Sequence, residues 1–428
     1  MLVTALLLLV VLLAISVPIA AVMGVLGLAL NQFYSAMPLY RAMGEILWNS
    51  NSEYILIAIP LFVMLGEILL RSGIAERVYN AIAQWLSWLP GGLMHANIGT
   101  CAMFAATSGS SVATAATVGL VALPQIEQRK YDERLFLGTL AAGGTLGILV
   151  PPSINFILYG LLTNTSVPRL YLAGMVPGII LASLFMLYVL VKCLITPSKG
   201  GLKLQTTWRQ RLYSLKDLVA PLLIFFVVVG SIYAGWATPT EAASLGVIAA
   251  LILAAWERRL SLAVMRAVLE STMRTTALIM LIIMAAQFLN FVLAAIGLTD
   301  GMGKAIEGLG LGKYGTLLLI VVFYLVLGCF METISMMILT TPFIFPIIEN
   351  LGWDPIWWGI VLTILIEAAL ITPPVGLNLY VVQGMRERGS IADVIWGSLP
   401  FVSLMMTLIG LLMIWPSVAL WLPRIVMG

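Results

Sequence analysis

The polar residues of this chain that could do chemistry fall in two stretches. Ser108-Gly109-Ser110-Ser111-Val112-Ala113-Thr114 precedes Gly147-Ile148-Leu149-Val150-Pro151-Pro152-Ser153, and Cys329 to Thr341 precedes Thr372-Pro373-Pro374-Val375-Gly376. Each pair puts small and polar residues, then a double proline, into otherwise apolar sequence. Hydroxyls and unwound carbonyls are hard oxygen donors suited to a monovalent cation such as sodium. Prolines remove backbone donors and free the carbonyls of the preceding turn. The half-helices that start at the same breaks offer N–H groups to an anion. Such runs also serve close helix packing. Two polar centres and two Pro-Pro breaks at corresponding positions of two halves favour binding.

Composition dictates the setting. Of 428 residues, 61% are hydrophobic and 10% charged, with mean hydropathy +1.07. Soluble domains carry roughly 25% charged residues. The chain is therefore expected to be an all-α polytopic membrane protein. Its net charge of +3 comes from short basic clusters between apolar runs and is no nucleic-acid signal. Cys101, Cys193 and Cys329 lack metal-ligand or redox spacing.

Taken in order, 1–30 is expected to form one long span, with or without a tilted extension, and 54–70 a second. The 71–90 stretch is expected as an amphipathic surface helix. The 93–123 segment is interrupted by Ser108 to Ser111, leaving two arms shorter than the roughly 20 residues a span needs. A re-entrant hairpin fits it. Segment 135–162 crosses with a break at Pro151-Pro152, 170–191 returns, and 218–235 with 240–256 form a connecting pair. A surface helix at 261–274, a span at 275–295 and an amphipathic connection at 297–313 follow. A second hairpin at 316–348 is centred on Glu332-Thr333-Ile334-Ser335, 355–383 breaks at Pro373-Pro374, and 396–422 is the last span.

The halves are related by a repeat: adding 222 to 224 maps Gly73 to Gly297, Pro124 to Pro346, Pro151-Pro152 to Pro373-Pro374 and Pro177 to Pro400. Assigning the basic loops to the cytoplasm gives opposite orientations to the two copies. The expected fold is thus inverted repeats with two re-entrant helical hairpins and two broken helices.

Several side chains have two readings. Glu332 either sits near an ion site or pairs with a hydroxyl, and Glu367 is expected to make a structural hydrogen bond. Glu67 and Glu241 are expected at span ends. Asn155 and Asn378 are substrate-facing or break-stabilising amides. His95, the one histidine, is expected at the surface or in a cap. Trp85, Trp88, Trp353, Trp357 and Trp358 are expected in interfacial belts. An intramembrane serine hydrolase lacks a base near the serines, so no catalytic residue is assigned.

The segments 106–119, 144–153 and 371–378, with Pro342 to Gly359, resemble the large membrane subunit of TRAP (tripartite ATP-independent periplasmic) transporters over nearly the whole chain. The resemblance implies no enzyme but an elevator-type, sodium-coupled importer of an organic acid, such as a C4-dicarboxylate or sialic acid, in the bacterial inner membrane. It implies two partners, a small four-helix membrane subunit that is not fused here and a periplasmic substrate-binding protein. Its first sodium site would fall on Ser108 and Ser111 with the carbonyls of Gly147, Val150 and Pro152. The second would fall on Gly328, Ala369, Thr372 and Val375. Position 369 is Ala where the family pattern has Gly, which a carbonyl ligand survives but tight backbone geometry need not. Substrate-facing candidates are Ser110, Thr114, Asn155, Glu332, Thr333, Pro374 and Asn378.

The resemblance divides the chain into scaffold (1–91, 164–297, 385–428), an amphipathic arm (298–314) and two transport-domain halves (92–163, 315–384). A proton-coupled or uncoupled organic anion permease is the competing expectation.

Overall fold

The computed structural model describes residues 1–108, 110–298, 301, 308, 310–328 and 331–428. The described secondary structure is helical, with one isolated bridge between Tyr131 and Gly200. Among the described residues, seven helices are long and apolar enough to cross a membrane, or eight if Glu133–Leu149 and Ile154–Thr163, bent by 46°, count as one span. With no water in a bilayer core, helices satisfy their own backbone donors and acceptors, so this is a multi-pass membrane protein.

Both halves carry the same order of elements. A first hairpin, Leu93–Ser108 and Ser111–Ala122, is followed by a first broken helix, Glu133–Leu149 and Ile154–Thr163. A second hairpin, Gly312–Leu327 and Thr333–Asn350, is followed by a second broken helix, Pro355–Ala369 and Leu377–Gly384. Both Pro-Pro bonds, Pro151-Pro152 and Pro373-Pro374, are cis. The halves are interwoven: Ile154–Thr163 packs on Thr333–Asn350, and Leu377–Gly384 packs on Ser111–Ala122. Each post-break half-helix thus rests on the other half's hairpin.

Several segments differ from the sequence expectation. The 1–30 stretch is two short helices, Leu2–Ala14 and Ile19–Tyr34, rather than one span. Pro18 lacks an N–H and disfavours helical geometry at the residue before it, which divides them. Conversely, 261–274 and 275–295 are one continuous 34-residue helix, Leu262–Ala295. At 1.5 Å per residue it runs about 50 Å, longer than the hydrocarbon core. The 218–235 span begins earlier, within Trp208–Tyr233, so part of the basic loop is helical. The last span is Ile391–Ile414, and Ser417–Met427 is a separate helix after a turn at Trp415-Pro416. The 297–313 connection lies largely outside the described residues.

The tryptophans also depart from expectation. Trp88 is exposed, but Trp357 and Trp358 are fully buried and Trp353 nearly so. Trp353 stacks on Trp357 at 4.2 Å between centroids, and the Trp357 indole N–H donates to the Leu412 carbonyl at 2.9 Å. The pair fills the core between the second broken helix and Ile391–Ile414. His95 is buried as well, its Nε2 2.9 Å from the Pro90 carbonyl oxygen.

Two contacts fix the first broken helix against Ile391–Ile414. A Cβ on Gly138 would run into the Gly397 backbone, and one on Gly397 into the Arg134 carbonyl. Near the same end, Arg386 pairs with Glu133 and Arg134 with Asp393. The Arg386 side chain is 5% exposed and also donates to the Gln383 side chain and the Ser390 carbonyl, whereas Arg134 is 63% exposed. Arg386→Ala is expected to lower stability by about 1–3 kcal/mol and Arg134→Ala by less than about 1 kcal/mol. Thermal unfolding of the purified variants checks the order, and equal shifts would contradict it.

Candidate functional site

The hairpin tips and the breaks converge. Ser110 caps Ser111–Ala122, its hydroxyl accepting from the Ala113 N–H at 3.3 Å. A Cβ built on Gly147 would lie 3.1 Å from the Ser110 carbonyl oxygen and from the Ser111 Cα. Glycine therefore lets the first broken helix press its backbone onto the first tip. Pro151 and Pro152 then remove the N–H groups that would have bonded the carbonyls of Gly147 and Ile148. Val150 is extended (φ −84°, ψ 124°). Ser111 thus faces backbone freed from helical bonding. The Ser108 side chain and Gly109 lie outside the described residues.

The second tip is built differently. Glu332 caps Thr333–Asn350, accepting from the N–H groups of Ile334 (3.1 Å) and Ser335 (2.7 Å) and from the Ser335 hydroxyl (2.5 Å). Of its two readings, the structure displays the hydroxyl pairing. A Cβ on Gly328 would collide with the Ala369 methyl. Ala369 is accommodated because its neighbour across the contact is glycine. The Ala369 carbonyl accepts from the Thr372 N–H at 3.2 Å, and the Thr372 hydroxyl donates to the Ala368 carbonyl at 2.7 Å. Cys329 and Phe330 lie outside the described residues.

The amides that follow the two breaks behave differently. Asn378, fully buried, donates to the Ser111 hydroxyl at 2.9 Å and to the Ala141 carbonyl at 3.3 Å. It stitches the second break to the first hairpin. Asn155, equally buried, has no hydrogen-bond partner for either its Nδ2 or its Oδ1. It lines a cavity of about 260 Å³ together with Ser110, Ser111, Glu332 and Thr333. An unpaired buried amide costs about 1–3 kcal/mol, so a ligand that supplies its partners gains that much.

The far wall of the cavity comes from Ala58–Arg71 and Leu262–Ala295, with Glu67 and Thr275 on it. Glu67 lies near the end of Ala58–Arg71, the span end expected for it. It bridges these helices, accepting from the Ser271 hydroxyl at 2.7 Å and from Arg71 at 3.1 Å. No lysine or arginine lines the cavity among the described residues. Of the other substrate-facing candidates, Thr114 is buried within the first hairpin and Pro374 is exposed, and neither lines the cavity. Glu241 caps Pro239–Trp256 at the surface. Glu67 and Thr275 lie on the wall without a polar-cluster or double-proline signal in the sequence.

Residues 6–418 match the DctM component of the tripartite ATP-independent periplasmic transporters. The chain belongs to the DctM family of TRAP transporters. A C4-dicarboxylate TRAP transporter large permease protein of Vibrio cholerae is 31% identical, over 97% of this chain and 95% of the relative. A sialic acid TRAP transporter large permease protein of the same organism is 30% identical, over 88% of each chain. This DctM-family chain is therefore a transporter permease and not an enzyme. In fold it is similar to the Alcanivorax borkumensis YdaH transporter (TM-score 0.63, 17% identity, 98% of this chain and 99% of that one).

Among the DctM-family positions matched by sequence, the structure brings Ser111 to Gly147 and Gly328 to Ala369. It leaves Val375 half-buried beside Gly376, whose φ of +59° suits glycine.

Proposed function

We propose that this chain is the sodium-coupled large permease of a TRAP transporter that imports an organic acid across the bacterial inner membrane. The carrying observation is the cavity, which joins both hairpin tips and one unsatisfied amide to the wall formed by Ala58–Arg71 and Leu262–Ala295. Substrate held there touches both of the bodies that an elevator mechanism moves past each other. The relatives named for C4-dicarboxylate and sialic acid motivate a carboxylate substrate.

Sodium fits the residues present. The donors at the first break are the Ser111 hydroxyl and backbone carbonyls, all hard oxygens. At the second they are the carbonyls of Gly328 and Ala369 with the Thr372 hydroxyl. Bound sodium would supply positive charge that the cavity lining lacks. The half-helix beginning at Ile154 adds its N-terminal potential, and Asn155 orients the carboxylate. Inward movement of an anion against the membrane potential costs about 2.3 kcal/mol per charge per 100 mV, so net import needs co-transported cations. In this reading 92–163 and 315–384 move as one body, which the exchange of half-helices between the hairpins favours. A small membrane subunit and a substrate-binding protein complete the tripartite system.

The test is uptake into proteoliposomes holding the permease and its small subunit, with the binding protein outside. An inward sodium gradient should drive accumulation, and potassium in its place should not. Sodium-independent uptake driven by a pH gradient would replace this reading with proton coupling. Asn155→Ala should raise the substrate concentration for half-maximal uptake about ten-fold, the equivalent of 1.4 kcal/mol. An unchanged value removes Asn155 from the site.

A further inference from the structure

The two halves bring two candidate anion seats to the cavity, and only the first is open. The half-helix Ile154–Thr163 has no side-chain cap, and the buried Ser153 hydroxyl before it completes no hydrogen bond. Asn155, in its first turn, is 1% exposed, lines the cavity and keeps both ends of its amide unpaired. An uncapped helix N-terminus beside an amide donor is a seat for a carboxylate.

The corresponding groups of the second half are already engaged. Asn378, which follows the second break as Asn155 follows the first, donates to the Ser111 hydroxyl and the Ala141 carbonyl. The 222-residue shift that maps one Pro-Pro break onto the other also maps Ser110 onto Glu332. Both residues are caps, but of different charge. Ser110 covers its helix with a neutral hydroxyl at 3.3 Å. Glu332 fills the N-terminus of Thr333–Asn350 with a carboxylate, which accepts from two N–H groups and from the Ser335 hydroxyl. A carboxylate is acceptor-only, with about four lone-pair sites. Three are used, and Glu332 lines the cavity, so the remaining one is available to whatever the cavity holds.

No cationic side chain on the described lining offsets that charge, and none of the ion pairs among the described residues includes Glu332. The other lining carboxylate, Glu67, is held by Arg71 and Ser271. Glu367, buried without the structural hydrogen bond expected of it, is not on the lining. Sodium at the breaks would favour every acid alike. What differs between the two ends of the cavity is the cap.

We propose that Glu332 sets the substrate class: an acid with one carboxylate, seated at Asn155 and the Ile154 half-helix, whose far end donates to Glu332 through a hydroxyl or ammonium group. A second carboxylate at that end would meet the Glu332 carboxylate and be rejected. The inference rests on the carboxylate reading of the cavity above and narrows the acid to a hydroxy or amino acid.

Thermal stabilisation of the purified full-length chain, in sodium buffer at neutral pH, tests this without a binding protein and its own selectivity. Four acids of one chain length serve as probes. 4-Hydroxybutyrate and 4-aminobutyrate carry a donor at the far end, succinate a second carboxylate, and butyrate neither. In the wild type the two donor-bearing acids should half-saturate at a concentration about ten-fold or more below that of succinate, with butyrate between. Glu332→Gln keeps the shape and a capping oxygen but removes the charge, so succinate should gain about ten-fold while 4-aminobutyrate weakens. If the glutamine variant does not fold, Glu332→Ser, which copies the Ser110 cap, carries the same expectation, and the wild-type order of probes needs no variant. A purely structural cap would shift all four probes together. A wild type that binds succinate as well as the donor-bearing acids, or variants that keep the wild-type ratios between probes, overturns the proposal. A wild type stabilised by none of the four overturns the carboxylate reading itself, a distinct result.

Discussion

Ser111→Ala should leave the permease folded and inserted yet raise the sodium concentration for half-maximal uptake by about 10- to 100-fold. That range corresponds to the roughly 1.5–3 kcal/mol of a hydrogen-bonding group acting on a charge. The fold tolerates the change because Asn378 keeps its second acceptor, the Ala141 carbonyl at 3.3 Å. The close Gly147 contact involves the Ser111 backbone, which alanine retains. Ser111→Thr keeps the hydroxyl and should lie between the two. Uptake with wild-type sodium dependence in the alanine variant would remove Ser111 from the site.

Gly138→Val is expected to have the largest effect on the fold itself. Its side chain would enter the Gly397 backbone of Ile391–Ile414, where no flexible group can give way. Overpacking against a rotatable side chain costs about 1–3 kcal/mol. Against helix backbone it should cost more, enough to abolish recovery of monodisperse protein. Gly410→Val is the matched control, since that glycine lies on the same partner helix with nothing within 4 Å of a built Cβ. Equal yields of the two variants would mean that the Gly138–Gly397 approach does not hold these helices.

The elements of the site were legible in the sequence, but their partnerships were not. Proline and glycine act on their own backbone, so both Pro-Pro breaks and the polar tips stood out locally. Local signals do not say which surface a segment meets. The repeat gave no sign that Ile154–Thr163 rests on the second hairpin and Leu377–Gly384 on the first. Asn155 and Asn378 look equivalent by sequence, yet one is satisfied and the other is not. Glu67 sits near its span end as expected, but no local signal names its partner Ser271, 204 residues away. Trp357 and Trp358 read as belt residues because composition does not separate a lipid interface from a packed core. The division at Pro18 follows from proline's missing N–H, a local signal inside an apolar stretch whose length alone suits a span.

The bond between Ser111 and Asn378 spans 267 residues of chain. During synthesis the first hairpin emerges long before the half-helix that completes its hydroxyl network. Until Asn378 is in place, Ser111 lacks the amide that orients its hydroxyl. The nascent chain thus passes through insertion with this link between its halves unmade. A chain that stops short of position 378 has the first hairpin but not the amide that bonds its Ser111 hydroxyl, so the junction between the halves closes only when both have been made.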